Sequence, residues 1–159
     1  MRIGIVAPSC PLDPALVERL TALTGSRAEL VVDPQCFLSD GHFAGNDDTR
    51  TGALIAMAND ASIDAIWFAR GGYGACRIAE AAIKGMGEAA RTKRWLGYSD
   101  AGFLLAGLYA RGIGSVAHGP MPADLARTGG DAAIVRALDW LIDGKASALE
   151  ISGADGLGT

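Results

Sequence analysis

A serine set between an apolar run and a helical run is the first residue here that could do covalent chemistry. In Leu96-Gly97-Tyr98-Ser99-Asp100-Ala101-Gly102, Ser99 falls where a strand gives way to a helix. A serine on such a sharp turn lifts its hydroxyl above the sheet edge. The N–H of the next residue, Asp100, then points to the same place from a helix N-terminus that favours negative charge. The pattern departs from G-x-S-x-G because Ala101 stands where the second glycine would be; alanine is small enough for strand and helix to pack closely. The plainer reading makes Ser99 only the cap of the following helix. A second segment, Arg70-Gly71-Gly72-Tyr73-Gly74, also joins a strand to a helix. Consecutive glycines uncover backbone N–H groups, which could cradle a phosphate or form one arm of an oxyanion hole. It is neither a P-loop, since no Gly-Lys-Ser/Thr follows, nor G-x-G-x-x-G; its plainer reading is a tight turn.

A self-contained triad would need a base for Ser99, and the sequence has only two histidines, His42 and His118. His42 lies in a polar loop. His118 ends a strand and opens His118-Gly119-Pro120-Met121, where a structural ring bonded to backbone competes with a catalytic one. Two histidines without a carboxylate at ligand spacing make no metal site. Cys10, Cys36 and Cys76 contain no C-x-x-C pair and are odd in number, which fits reduced thiols better than a disulfide framework.

The elements that must position these residues alternate. Strands are expected over Arg2–Ala7, Glu29–Val32, Ala65–Ala69, Arg94–Tyr98 and Ile113–Ala117. Helices are expected from Asp13-Pro14 to Gly25, over Thr49–Asn59, from the glycine loop to Ile83, over Asp100–Ala110, and from Gly129-Gly130-Asp131 onward. Continuous apolar strands separated by helices mean an α/β fold: an open, mostly parallel sheet flanked by helices, a flavodoxin- or Rossmann-like three-layer arrangement. Both candidate loops then lie at the carboxyl ends of strands, where such sheets place their sites. Pro34 to Asp48 reads as a polar loop, and Lys93-Arg94 as a solvated approach to a strand.

The 159 residues are 50% apolar, enough for one domain with a full core. A net charge of −4 gives no electrostatic footprint for nucleic acid. No run approaches the roughly 20 apolar residues that cross a bilayer, and the N-terminus reads as a strand and not a signal peptide, so a cytoplasmic location without membrane partners is expected.

Five pieces in order carry a family resemblance: Ile5-Val6-Ala7-Pro8-Ser9, Phe43-Ala44-Gly45-Asn46-Asp47-Asp48-Thr49-Arg50, Ile66-Trp67-Phe68-Ala69-Arg70-Gly71-Gly72-Tyr73-Gly74, Gly97-Tyr98-Ser99-Asp100 and His118-Gly119-Pro120-Met121. The chain resembles the N-terminal domain of the LD-carboxypeptidases, the serine peptidase family that includes the microcin-immunity peptidases. The resemblance implies cleavage of the amide between an L-centre and a terminal D-amino acid, typically D-Ala of a murein tetrapeptide in cell-wall recycling. It implies a Ser-Glu-His triad, with no metal and no cofactor. Carried over, Ser99 is the nucleophile, the N–H groups of Asp100 and Gly72 are oxyanion donors, and Gly71, Tyr73 and Arg70 belong to the same substrate-binding loop. The family's Glu and His come from a C-terminal domain that no segment here matches. The expected organisation is a nucleophile-bearing domain over 1–145 and the start of an interdomain linker over 146–159. Its expected partners are a murein peptide and the C-terminal domain, with a homodimer allowed, and alone it is expected to be inactive. A surface built for that domain should expose apolar area, to which Trp140 and the last helix could contribute. Two other readings stay open: a self-sufficient esterase or peptidase using His118, and an anion-binding module built on Gly71-Gly72.

Overall fold

The computed structural model describes residues 1–145; the linker expected over 146–159 lies outside them. Five strands, β1 (Arg2–Val6), β2 (Glu29–Val32), β3 (Ala65–Phe68), β4 (Arg94–Gly97) and β5 (Ser115–His118), form one parallel sheet in the order β2-β1-β3-β4-β5. This is the flavodoxin-like order, whose direction of winding reverses between β1 and β3. Five helices cover it: α1 (Ala15–Thr24), α2 (Asp47–Asn59), α3 (Ala75–Lys84), α4 (Gly102–Ala110) and α5 (Gly130–Asp143).

Because side chains alternate along a strand, the sheet feeds two cores. Val6, Ile66, Phe68 and Trp95 pack with Leu54, Ile78 and Leu104 beneath α2, α3 and α4. Ile3, Ile5, Trp67 and Leu96 pack with Leu20, Ile134 and Leu138 beneath α1 and α5. The three-layer α/β architecture expected from the alternation is therefore present.

The differences are local and have local causes. The last strand starts at Ser115 and not at Ile113, because Gly112 and Gly114 take φ of 62° and 68°, outside the extended region. Helix α2 begins two residues early: Asn46 accepts the Thr49 N–H at 2.8 Å, and Asp47 and Asp48 occupy the positive first turn. A short 3₁₀ turn at Pro34–Phe37 lies inside the segment expected to be a polar loop, and others occupy Glu88–Thr92 and Pro122–Ala126.

Two surface expectations are corrected. Lys93 is 1% exposed. Its ammonium donates to the carbonyls of Asp60 and Ile63 at 2.7 and 2.5 Å, and burial lowers its pKa. Arg94 donates to the Leu141 and Ile142 carbonyls at 2.8 and 3.1 Å, closing the C-terminal turn of α5. Trp140 is 8% exposed and belongs to the core; the last helix exposes Val135 at 38%, and the most exposed large apolar side chains lie on α4, where Phe103 is 59% and Tyr109 76% exposed.

Candidate active site

Loops leaving the carboxyl ends of β1, β3, β4 and β5 meet beyond one edge of the sheet. Ser99 follows β4, is exposed, and has φ of 58°, the one positive φ of a non-glycine residue among the described residues. The left-handed conformation costs an L-residue about 1–2 kcal/mol. It persists because its neighbours are held on both sides. Gly97 pairs with His118 at the end of the β4–β5 ladder, and the Gly119 N–H bonds the Gly97 carbonyl at 2.9 Å. On the other side Ser99–Ala101 form a 3₁₀ turn that runs into α4.

The glycine loop lies against the serine. A Cβ built on Gly71 would stand 3.0 Å from Ser99 Cβ and 3.1 Å from its Oγ, so a side chain there would crowd the hydroxyl. Gly72 has φ of 122°, a conformation that other residues rarely adopt, and a Cβ on it would collide with the Cys10 sulfur. Among the described residues, the N–H groups of Gly72 and Asp100 donate to no backbone acceptor. The Asp100 side chain turns away from the opening. It is 8% exposed, and its Oδ2 accepts the Ser9 hydroxyl at 2.6 Å and the Ala75 N–H at 2.7 Å.

Ser99, Arg70, Gly71 and Gly72 line a cleft of about 510 Å³ with Asp13, Leu16, Tyr98, Met121, Asp124 and Arg127. Tyr98, Asp124 and Arg127 form one wall. The Tyr98 hydroxyl donates to Asp124 at 2.7 Å, and Arg127 donates to the Tyr98 oxygen at 2.8 Å and pairs with Asp124 at 3.2 Å. Asp124 also accepts the Met121 N–H at 2.8 Å. Burial, followed by the bond to and charge of Asp124, raises the pKa of the Tyr98 phenol, which therefore stays a neutral donor at physiological pH. Arg70 is exposed and reaches only the Pro11 carbonyl, at 3.4 Å; it forms no ion pair with a carboxylate among the described residues, unlike Arg127.

Two residues singled out from the sequence lie elsewhere. Tyr73 is 51% exposed and, across the glycine loop from Ser99, its ring lies 6.0 Å from those of Phe43 and His42. His118 makes no hydrogen bond to Ser99; its ring meets Tyr98 edge-on at 5.9 Å and lines a separate, mainly apolar pocket with Pro120, Gly129 and Ala133. A base within reach of Ser99 is therefore absent among the described side-chain contacts, and so is any group of three potential metal ligands. Also among the described residues, no helix is long and apolar enough to cross a membrane. The sequence reading missed the Tyr98–Asp124–Arg127 wall, because Tyr98 lies 26 and 29 positions from Asp124 and Arg127 and no local pattern joins them. Ser9 and Arg50 stood inside quoted motifs, but only the folded chain shows what they bond.

Comparison with known proteins speaks to family and fold. The chain is 36% identical over 129 residues to a putative carboxypeptidase of Streptomyces coelicolor, covering 78% of this chain and 41% of that protein. It is 32% identical over 120 residues to a probable murein peptide carboxypeptidase of Bacillus subtilis, covering 75% and 37%. It thus spans less than half the length of these relatives. Among solved structures, an MccF-like protein from Bacillus anthracis superposes with a TM-score of 0.72 at 17% identity, over 88% of this chain and 44% of that one. A muramoyltetrapeptide carboxypeptidase from Oxalobacter formigenes superposes with a TM-score of 0.62 at 24% identity, over 77% and 40%. At such identities these two likenesses speak for the fold. Residues 3–119 match the family model described as the LD-carboxypeptidase N-terminal domain, and the chain belongs to that family.

Proposed function

We propose that this chain is the nucleophile-bearing domain of a serine-type LD-carboxypeptidase that removes a terminal D-amino acid, D-Ala in the main case, from an L,D-linked murein peptide. One observation carries the reading: Ser99, exposed and held in the left-handed region, sits against Gly71 beside the unused N–H groups of Gly72 and Asp100.

In this mechanism Ser99 Oγ attacks the carbonyl carbon of the scissile amide and its proton passes to a base. The carbonyl oxygen gains negative charge and is met by the Gly72 and Asp100 N–H groups, the second at the start of a helical segment. The C–N bond breaks, the proton passes to the departing amine, and water then cleaves the ester on Ser99. A free serine hydroxyl is a weak nucleophile. The base and its orienting carboxylate are the His and Glu of a C-terminal domain, as the family resemblance implies, and residues 1–145 alone are inactive. A carboxypeptidase must also recognise the substrate's terminal carboxylate. Arg70 is the cleft cation without a carboxylate partner among the described residues and takes that role.

Murein peptide is favoured over an aminoacyl-sulfamoyl nucleoside because a relative named for murein peptide is 32% identical, whereas the MccF structures in complex with glutamyl sulfamoyl guanosine and aspartyl sulfamoyl adenosine, at 20% and 22%, speak for the fold alone. The assay is release of D-Ala from an L,D-linked tetrapeptide by the complete polypeptide, run beside an aspartyl-sulfamoyl nucleoside. Ser99→Ala should abolish release. Cleavage of the nucleoside alone would move the substrate assignment, and undiminished D-Ala release by Ser99→Ala would end the reading.

A further inference from the structure

Arg50 is fully buried, yet no part of the proposed reaction uses it. Its guanidinium donates to the carbonyl of Pro8, to that of Gly74 at 2.9 Å and to that of Gly45 at 3.1 Å, and it pairs with Asp47. The Phe43 ring lies 4.7 Å from its centre. Asp100 lies on the other side of the same two loops. It takes the hydroxyl of Ser9, the residue after Pro8, and the N–H of Ala75, the residue after Gly74. The Gly74 carbonyl and the Ala75 N–H belong to one planar peptide group. That plane is therefore held at its oxygen by a buried cation and at its N–H by a buried carboxylate, a charge-assisted bond at each end.

Gly74, with φ of 139°, has no side chain to cap α3, so the first N–H of that helix depends on Asp100. Two residues upstream in the same loop is Gly72, at φ of 122°. Glycines at these angles are free to rotate unless something outside the loop sets them.

We propose that Arg50 and the Asp100 carboxylate are a positioning pair for the reaction: they fix the Gly74–Ala75 peptide and so aim the Gly72 N–H at the oxyanion of the Ser99 adduct. Neither side chain touches substrate. Asp100 then acts twice, as an oxyanion donor through its N–H and as a clamp on the opposite donor through its carboxylate, so one residue couples the serine turn to the glycine loop. The inference rests on the reading of Ser99 as nucleophile, but the clamp can be tested without it.

In the 159-residue chain, Asp100→Asn and Ser9→Ala should speed amide hydrogen exchange at Ala75 by about tenfold or more while β1 and β3 amides keep their protection. Unchanged exchange at Ala75 in a folded Asp100→Asn chain overturns the clamp. In the complete polypeptide, Asp100→Asn and Arg50→Lys should lower kcat on the order of 10- to 100-fold, less than the roughly 10²–10³-fold cost of deleting an oxyanion donor. KM should stay within about threefold, because the lost interaction acts in the transition state. Affinity for a peptidyl boronate, which mimics the tetrahedral adduct, should fall in step with kcat. A raised KM with unchanged kcat, or boronate affinity equal to that of the parent, overturns the positioning role. Ser9→Ala, a small change, keeps the test decisive if Arg50→Lys does not fold. Loosened exchange together with an active Ser99→Ala enzyme would leave the clamp standing and remove only the assignment of the nucleophile.

Discussion

The two ends of this sheet put the same kind of ion–backbone bond to different uses. At the amino-terminal end, Lys93, Arg94 and Asp64 are each matched by a backbone acceptor or donor. Lys93 caps the carbonyls of Asp60 and Ile63, Arg94 closes α5, and Asp64 takes the Arg2 N–H at 2.7 Å. At the carboxyl end, buried Arg50 and Asp100 also bond backbone, but what they hold is a loop whose Gly72 N–H has no backbone acceptor and a turn whose serine is in the left-handed region. Ion–backbone bonds stabilise at both ends. Only at the carboxyl end do they maintain strain and unused donors, which are what a site needs and a scaffold avoids.

Four experiments would break or sharpen this contrast. The largest effect belongs to Ser99→Ala: D-Ala release by the complete polypeptide should fall by roughly 10⁴–10⁶-fold, as for other triad serines. The thermal midpoint should not fall, since one exposed hydroxyl contributes little; a drop of many degrees would make Ser99 a structural cap instead. Next is Lys93→Met at the opposite end, which leaves the buried Ile63 carbonyl without its donor, while the Asp60 carbonyl keeps the Ile63 N–H at 3.1 Å. Urea unfolding should show a loss of about 1–3 kcal/mol, with the kcat of the folded enzyme unchanged. A large fall in kcat would show that the two ends are coupled.

A smaller effect separates strain from chemistry. Ser99→Gly should be as inactive as Ser99→Ala but more stable by about 1 kcal/mol in the same unfolding measurement, because alanine keeps the left-handed penalty that glycine escapes. Equal stabilities would mean that the turn holds no strain. The smallest effect is at Asp47, whose carboxyl the Arg77 hydrogen bond, with the charges of Arg50 and Arg77, holds below the ordinary carboxylate range. Its folded pKa is lowered, so its stabilisation is present above the ordinary aspartate range and lost as pH falls through the folded value. Because Asp47 is solvent-exposed by more than a third, the expected change is slight: in an acid titration the midpoint of its side-chain carboxyl NMR signal should fall below that of a free aspartate, and Arg77→Ala should move it back toward that value.

Much of this was legible along the chain. Apolar runs separated by helical periods are local features, so the five strands and their parallel arrangement could be read directly. The Gly-Tyr-Ser-Asp turn and the double glycine mark sharp strand-to-helix junctions by residue type alone, and the family resemblance added expected roles for them. What residue type could not show is set where a residue's environment comes from distant segments. Lys93 carries a charge, which in sequence means surface, yet the Asp60–Ile63 turn folds over it and supplies two carbonyls. His118 ends a strand beside β4, but the parallel register sets it against Gly97 and its ring beside Tyr98, away from the serine hydroxyl. Tyr73 shares a loop with Gly72, yet its side chain leaves toward Phe43.

What the sequence determined by itself is therefore the kind of fold and the kind of turn, because periodicity, glycine and proline act on their own few residues. What only the tertiary structure decided is which groups face one another across those turns. Arg50 and Asp100 are 50 positions apart and meet the same peptide plane only because β1, β3 and β4 end at one edge and their loops converge there. No local rule encodes that meeting, since hydrogen bonds between distant segments depend on where the sheet brings their backbones.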